Sequence, residues 1–227
     1  EEGACPRRAE PVMARPEEPW ASFSLEPGMK RSETTQHDRA FMAKALDLAR
    51  LGAGRTSPNP LVGAVVVSEG AGLGTGYHEK CGGPHAEIHA LEEAGSLARG
   101  ATLYVTLEPC CVSGQTPPCT DALTEAGVTR VVVAVRDPNP CVCGRGVELL
   151  REAGIDVDVG LMEEEAVRLN APYFKYRRDG LPYVLVKLAL SLDGMAAPPE
   201  GGPRWTSSEI SRRLVHEMRA TCDCVMV

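Results

Sequence analysis

From His37 onward the chain switches repeatedly between two hydrophobic periods. Met42, Ala45, Leu46 and Ala49 recur at helical spacing and Gly52 follows them, which predicts a helix from about His37 that stops before Gly52. "RTSPNP" (55–60) holds two prolines and predicts an extended turn, because proline disfavours helical geometry in the residue before it. "LVGAVVV" (61–67) is a short β-branched run and predicts a buried strand. A Gly-rich turn is expected next, and from about Pro84 the pattern is helical, with proline near the start. "TLYVTLEP" (102–109) then predicts a strand, Thr120–Ala126 a helix closed by Gly127, and "RVVVAV" (130–135) a strand. "GVELLREAG" (146–154) predicts a helix, "IDVDVG" (155–160) a strand and Glu163–Leu169 a short helix. This alternation predicts an α/β layered fold.

The two ends of the chain break the pattern. Residues 1–34 are rich in Pro, Glu, Arg and Ser with no apolar period, which predicts a disordered leader. The first ordered domain is expected over 35–172. "YFKYRRDGLP" (173–182), charged and closed by Gly and Pro, is expected to be a linker. "YVLVKLALSLDG" restarts with a predicted strand and opens a second domain over 183–227. The chain starts at Glu1 and stops at Val227 inside the apolar run "CDCVMV", so a truncated second domain is expected.

Composition narrows the classes. Of 227 residues 43% are hydrophobic, enough for a buried core. A net charge of −7 and a pI of about 5.3 argue against a nucleic-acid-coating protein, though a local basic pocket for one phosphate remains open. No apolar run approaches the roughly 18 residues of a membrane helix. Nine cysteines, an odd count set within an α/β pattern, point to a reducing cytoplasmic setting and one metal site rather than a disulfide scaffold.

Candidate chemistry concentrates in "PHAE" (84–87), "EPC" (108–110) and "PPC" (117–119). Hydrolytic zinc chemistry needs three protein ligands and one open position. One imidazole and two thiolates meet that need, and bound zinc lowers the pKa of water to roughly 7. A Glu two residues after the His, at the same helix start, can carry the proton without binding metal. Helix N-termini favour thiolates, and Cys119 lies at or just before a predicted one. Each piece alone has an ordinary explanation: His followed by Glu is common on helices, and a Cys at a strand end is usually a small core residue. Their succession along the chain follows the zinc-deaminase pattern H-x-E…P-C-x-x-C, except that eight residues rather than two separate Cys110 from Cys119.

That longer spacing, with "RTSPNPLVGAVVV", "GYHEKCGGPHAEIHALEEAG", "GQTPPCTDALTEAGVTRVVVAVRDPNP" and "GRGVELLREAGIDVDVG", resembles the bifunctional deaminase–reductase family of riboflavin biosynthesis. "VKLALSLDGMAA" and "RWTSSEISRRLVHEMRA" resemble the start of its reductase domain. The resemblance runs from His37 to Val227. It implies a three-layer αβα, cytidine-deaminase-like domain followed by the incomplete start of a dihydrofolate-reductase-like α/β domain. It also implies that His85, Cys110 and Cys119 bind Zn2+ and that Glu87 shuttles protons. The implied reaction is deamination of 2,5-diamino-6-(5-phosphoribosylamino)pyrimidin-4(3H)-one to 5-amino-6-(5-phosphoribosylamino)uracil, followed in the family by NADPH-dependent reduction. Asn59 would contact that small-molecule substrate and Arg219 its phosphate, with Lys187 nearby. Ala189 and Trp205 fall where the family contacts NADPH. A half-exposed role is the rival for His78, packing for Trp205.

The chain departs from the family between the zinc cysteines. Cys111, Val112, Ser113, Gly114 and Gln115 stand where the family carries Ser-His-His-Gly-Arg. Thr206-Ser207 replaces Ile-Thr, and Pro203 replaces a serine. Deamination of another nucleoside or base, or a non-catalytic zinc-stabilised module, are the competing functions. No nucleic-acid or membrane partner is expected, and a homo-oligomer is left open. The second domain as it stands is expected neither to bind NADPH nor to reduce substrate.

Overall fold

The computed structural model describes residues 36–112, 117–140, 142–196, 205 and 207–226. The predicted leader over 1–34 lies outside them. So do Ser113, Gly114 and Gln115 of the inter-cysteine loop, and Pro203 and Thr206.

Five strands form one sheet: β1 (Gly63–Ser68), β2 (Ala71–Tyr77), β3 (Thr102–Val105), β4 (Arg130–Val133) and β5 (Asp156–Val159). Their order across the sheet is β2-β1-β3-β4-β5. β1 runs antiparallel to both neighbours, whereas β3, β4 and β5 are parallel and joined by helical crossovers. Strand residues alternate between two cores. Ala64, Val66, Leu103, Val105, Val131 and Val133 pack under α2 (Ala86–Ala94), α3 (Cys119–Ala126) and α4 (Arg145–Glu152). Val65, Val67, Tyr104 and Val132 pack under α1 (Gln36–Arg50), α5 (Glu163–Leu169) and α6 (Ala171–Asp179). Helices on both faces of one sheet are the three-layer αβα arrangement.

Two differences from the sequence pattern have physical causes. The "Gly-rich turn" is an edge strand, β2. Its glycines let helix backbone approach: a Cβ on Gly74 would lie 2.1 Å from the Ala90 carbonyl oxygen, and one on Gly76 2.2 Å from that of Ala86. Ala86, Ala90 and Ala94 supply the matching small face of α2. The charged segment read as a linker begins inside α6. Phe174 is buried in the second core, and the guanidinium groups of Arg177 and Arg178 lie 5.3 and 5.1 Å from the ring centroids of Tyr173 and Phe174. The folded unit therefore reaches Asp179.

Beyond Gly180 the expected strand over "YVLVKLALSLDG" is absent among the described residues. Val184, Val186, Leu188 and Leu192 are all exposed, with no partner strand to complete a ladder. A last helix, α7 (Glu209–Ala220), buries none of its residues, and its N-cap Ser208 accepts a hydrogen bond from the Ser211 N–H.

Candidate metal centre and active site

The site forms where β3 and α2 meet α3, outside the carboxyl end of β3, the usual place for a ligand in a sheet of this kind. His85 is the N-cap of α2, in extended geometry, so its ring projects from the helix end while Ala86 and Glu87 turn inward and are buried. Pro118 is the N-cap of α3 and Cys119 its first residue. Cys110 follows β3 on the loop whose carbonyl accepts from the Thr120 N–H at 3.2 Å.

These elements bring three donors together. His85 Nδ1 lies 3.2 Å from Cys119 Sγ and 3.4 Å from Cys110 Sγ, and one ligand atom from each residue falls within 4.8 Å of the other two. Ligands at zinc's usual distances and tetrahedral angles stand about 3.5 Å apart. One imidazole with two thiolates therefore fits that ion in number, softness and spacing. The helix start contributes as well: the Cys119 N–H donates to Cys110 Sγ at 3.3 Å.

Electrostatics separate the two thiols. Hydrogen bonding from Cys119, and then from His85 and the Cys119 N–H, pulls the Cys110 thiol well below its ordinary range. Hydrogen bonding to Cys110, burial and the Glu87 charge push the Cys119 thiol up. The pair thus gives up a first proton readily and resists losing the second. The Cys110 hydrogen bond raises the His85 imidazolium pKa against the opposing effect of burial. Glu87 is 3% exposed, and burial, helped by the Cys110 charge, pushes its carboxyl up to about 7. A buried carboxyl in that range can hold or release a proton at neutral pH.

Asn59 reaches the site through His78. The His78 Nδ1–H donates to the Pro84 carbonyl at 3.1 Å, which leaves Nε2 to accept from Asn59 Nδ2 at 3.2 Å. Burial lowers the His78 pKa, in keeping with this neutral form. The amide orientation of Asn59 is thereby set, with Oδ1 on the side away from His78. His78 is 3% exposed rather than half-exposed, and its ring meets His85 edge-on at 5.5 Å. The "SPNP" turn, whose Ser57–Pro58 peptide is cis, is pinned by a residue that no motif marks. Buried Asn170 accepts from the Leu61 N–H at 2.7 Å and donates to the Leu61 carbonyl at 2.8 Å, across 109 positions of sequence. Glu108 is a second residue missed in the sequence, although an acid inside the apolar run "TLYVTLEPC" was a usable signal.

The remaining candidates lie in the segment after α6. Trp205 is exposed with the Arg212 guanidinium 4.7 Å from its ring centroid, Arg219 is exposed near the end of α7, and Ala189 is half-buried. Cys111 is half-buried and stands outside the donor trio.

Residues 35–135 match the family model described as the cytidine and deoxycytidylate deaminase zinc-binding region, and residues 182–227 match the RibD C-terminal domain. The riboflavin biosynthesis protein RibD of Aquifex aeolicus is 54% identical over 190 residues, covering 84% of this chain and 53% of that protein. By these matches the chain is a RibD-like protein. RibD of Acinetobacter baumannii superposes with a TM-score of 0.77 at 47% identity, over 82% of this chain and 52% of that structure. A diaminohydroxyphosphoribosylaminopyrimidine deaminase/5-amino-6-(5-phosphoribosylamino)uracil reductase of Thermotoga maritima superposes with a TM-score of 0.76 at 46% identity, over 82% of this chain and 54% of that structure. The chain thus spans about half the length of the RibD proteins it matches, and the His85, Cys110 and Cys119 trio lies within the part matched. No helix among the described residues is long and apolar enough to cross a membrane.

Proposed function

We propose that this chain hydrolytically deaminates 2,5-diamino-6-(5-phosphoribosylamino)pyrimidin-4(3H)-one to 5-amino-6-(5-phosphoribosylamino)uracil, with Zn2+ held by His85, Cys110 and Cys119 and protons carried by Glu87. One observation supports this most: a buried carboxyl, Glu87, stands two residues from the imidazole of a His/Cys/Cys donor set. A purely structural zinc site has no use for such a group. When bound, zinc supplies the Lewis acid that makes a water nucleophilic at neutral pH.

The chain's own residues do the rest. The water oxygen adds to the ring carbon that carries the exocyclic amine. Glu87 takes one proton of the water and delivers it to the ring nitrogen, then takes the second from the added hydroxyl and delivers it to the amine. The carbon–nitrogen bond breaks, a ring carbonyl forms and ammonia leaves. Asn59 Oδ1, left free by the bond from Nδ2 to His78, is oriented to accept from the pyrimidine or ribose.

By family resemblance Ala189 and Trp205 are assigned to NADPH and Arg219 to substrate in the reductase step, with Lys187 close by. No sheet supports those residues among the described part of the chain, so this chain alone is expected not to hold NADPH. Thiolate ligands persist in a reducing compartment, and we place the reaction in the cytoplasm. The substrate assignment is tested by measuring ammonia release from the phosphoribosylaminopyrimidine, cytidine and dCMP side by side. The first alone should turn over. A preference for cytidine or dCMP would move the chain to another deaminase class, and stoichiometric zinc without turnover would mark a zinc-stabilised module.

A further inference from the structure

Glu108 is 4% exposed and lies two residues before Cys110. An unmatched buried carboxylate costs several kcal/mol. This one is matched by three main-chain donors. The N–H groups of Asp137 and Gly144 reach Oε2 at 3.2 and 3.0 Å, and that of Val147 reaches Oε1 at 3.2 Å. Two of the three belong to the start of α4, where Gly144 is the N-cap and has no side chain to satisfy the first-turn N–H groups. Glu108 does so from a distant strand end, and its charge suits the positive end of the helix.

The contact continues toward the cysteine. A Cβ on Gly146 would lie 2.2 Å from the Pro109 carbonyl oxygen and 3.2 Å from Glu108 Oε1, so α4 rests directly on the backbone next to Cys110. On the other side the Glu108 N–H donates to the Val135 carbonyl at 3.0 Å. Beyond Pro109, whose ring restricts φ, Cys110 is gripped by the start of α3 through its carbonyl and its sulfur. Cys110 is therefore held between two helix starts, and on the α4 side the contact runs through Glu108 and Pro109.

We propose that Glu108 is the positioning residue of the metal centre: by locking the start of α4 onto the Glu108–Pro109 backbone, it fixes where Cys110 Sγ meets the ion. This inference rests on His85, Cys110 and Cys119 being the zinc ligands. Loss of the lock shows first as faster metal release and altered thiolate geometry, because outer partners of metal ligands are typically worth about 10- to 100-fold in metal affinity.

The test uses the full chain loaded with zinc or cobalt, with Glu108→Gln, Gly146→Ala and Leu150→Ala as variants. Glu108→Gln keeps the size but turns an amide N–H2 toward backbone donors. Gly146→Ala attacks the same contact from α4. Leu150→Ala empties a fully buried position one turn further along α4 that makes none of the hydrogen bonds to Glu108, and serves as the stability control. Glu108→Gln and Gly146→Ala should each transfer zinc to a chelator at least about tenfold faster than the parent and shift the thiolate-to-cobalt absorption bands. Leu150→Ala should lower the melting temperature yet keep the parent's bands and release rate. Parent-like bands and release in Glu108→Gln would overturn the proposal. So would Leu150→Ala speeding release as much for the same loss of melting temperature. If Glu108→Gln does not fold, Gly146→Ala decides by the same two readouts. A parent that shows no thiolate-to-cobalt bands would instead defeat the zinc assignment beneath it.

Discussion

Three cysteines stand within ten positions of one another, and geometry gives them different work. Cys110 and Cys119 face His85 Nδ1, while adjacent Cys111 stands outside the donor trio. Alanine at Cys110 or Cys119 is expected to abolish stoichiometric zinc in the purified chain, and alanine at Cys111 to leave it intact, as measured by metal analysis. Equal zinc loss in all three would place the site elsewhere. His85, Glu87 and both cysteines were legible in the sequence because each sits at an element start or end whose spacing follows from local rules. Glu108 and Asn170 were not, because what makes them important is a partner 29 to 39 positions away in one case and 109 in the other. His78 was half legible: a histidine ahead of the zinc helix is visible, but its neutral tautomer depends on the Pro84 carbonyl.

At the scale of elements, hydrophobic period marked the buried strands and most helices, and it failed where packing rather than hydrophobicity set the residue. β2 is glycine-rich because α2 lies against it almost backbone to backbone. Gly76→Ala should therefore force strand and helix apart and cost about 1–3 kcal/mol of stability, read as a lower denaturation midpoint. An unchanged midpoint would mean that the α2–β2 contact is looser than described. α2 also carries His85 and Glu87, so the same substitution should weaken zinc retention. α6 was misjudged for the opposite reason: its charges looked like a linker, but two of them cover the aromatic rings that anchor it. β3 and β4 end earlier than their apolar runs, although the residues beyond them still bond to neighbouring strands and to each other, as Ala134 does to Val105 and Glu108 to Val135.

At the scale of the molecule, the chain joins a three-layer unit, complete through Asp179, to a segment whose large apolar side chains face solvent. Limited proteolysis should cut first within 181–196 and leave the three-layer unit intact, and saturating NADPH should not slow that cut. Protection by NADPH would show that Ala189 and Trp205 already form a working cofactor site. The α/β layering followed from strand–helix alternation and its three-layer form from the family resemblance, whereas the state of the last segment did not follow, because a strand pattern does not reveal whether a partner strand is present. The claim that unites these scales is that Glu87 turns a zinc-binding fold into a deaminase. It is tested most directly by zinc content and ammonia release measured together for the parent and Glu87→Gln. The parent should bind zinc stoichiometrically and release ammonia from the phosphoribosylaminopyrimidine, and Glu87→Gln should keep its zinc and lose about 10²- to 10⁴-fold in rate. Ammonia release by Glu87→Gln at the parent's rate would contradict it.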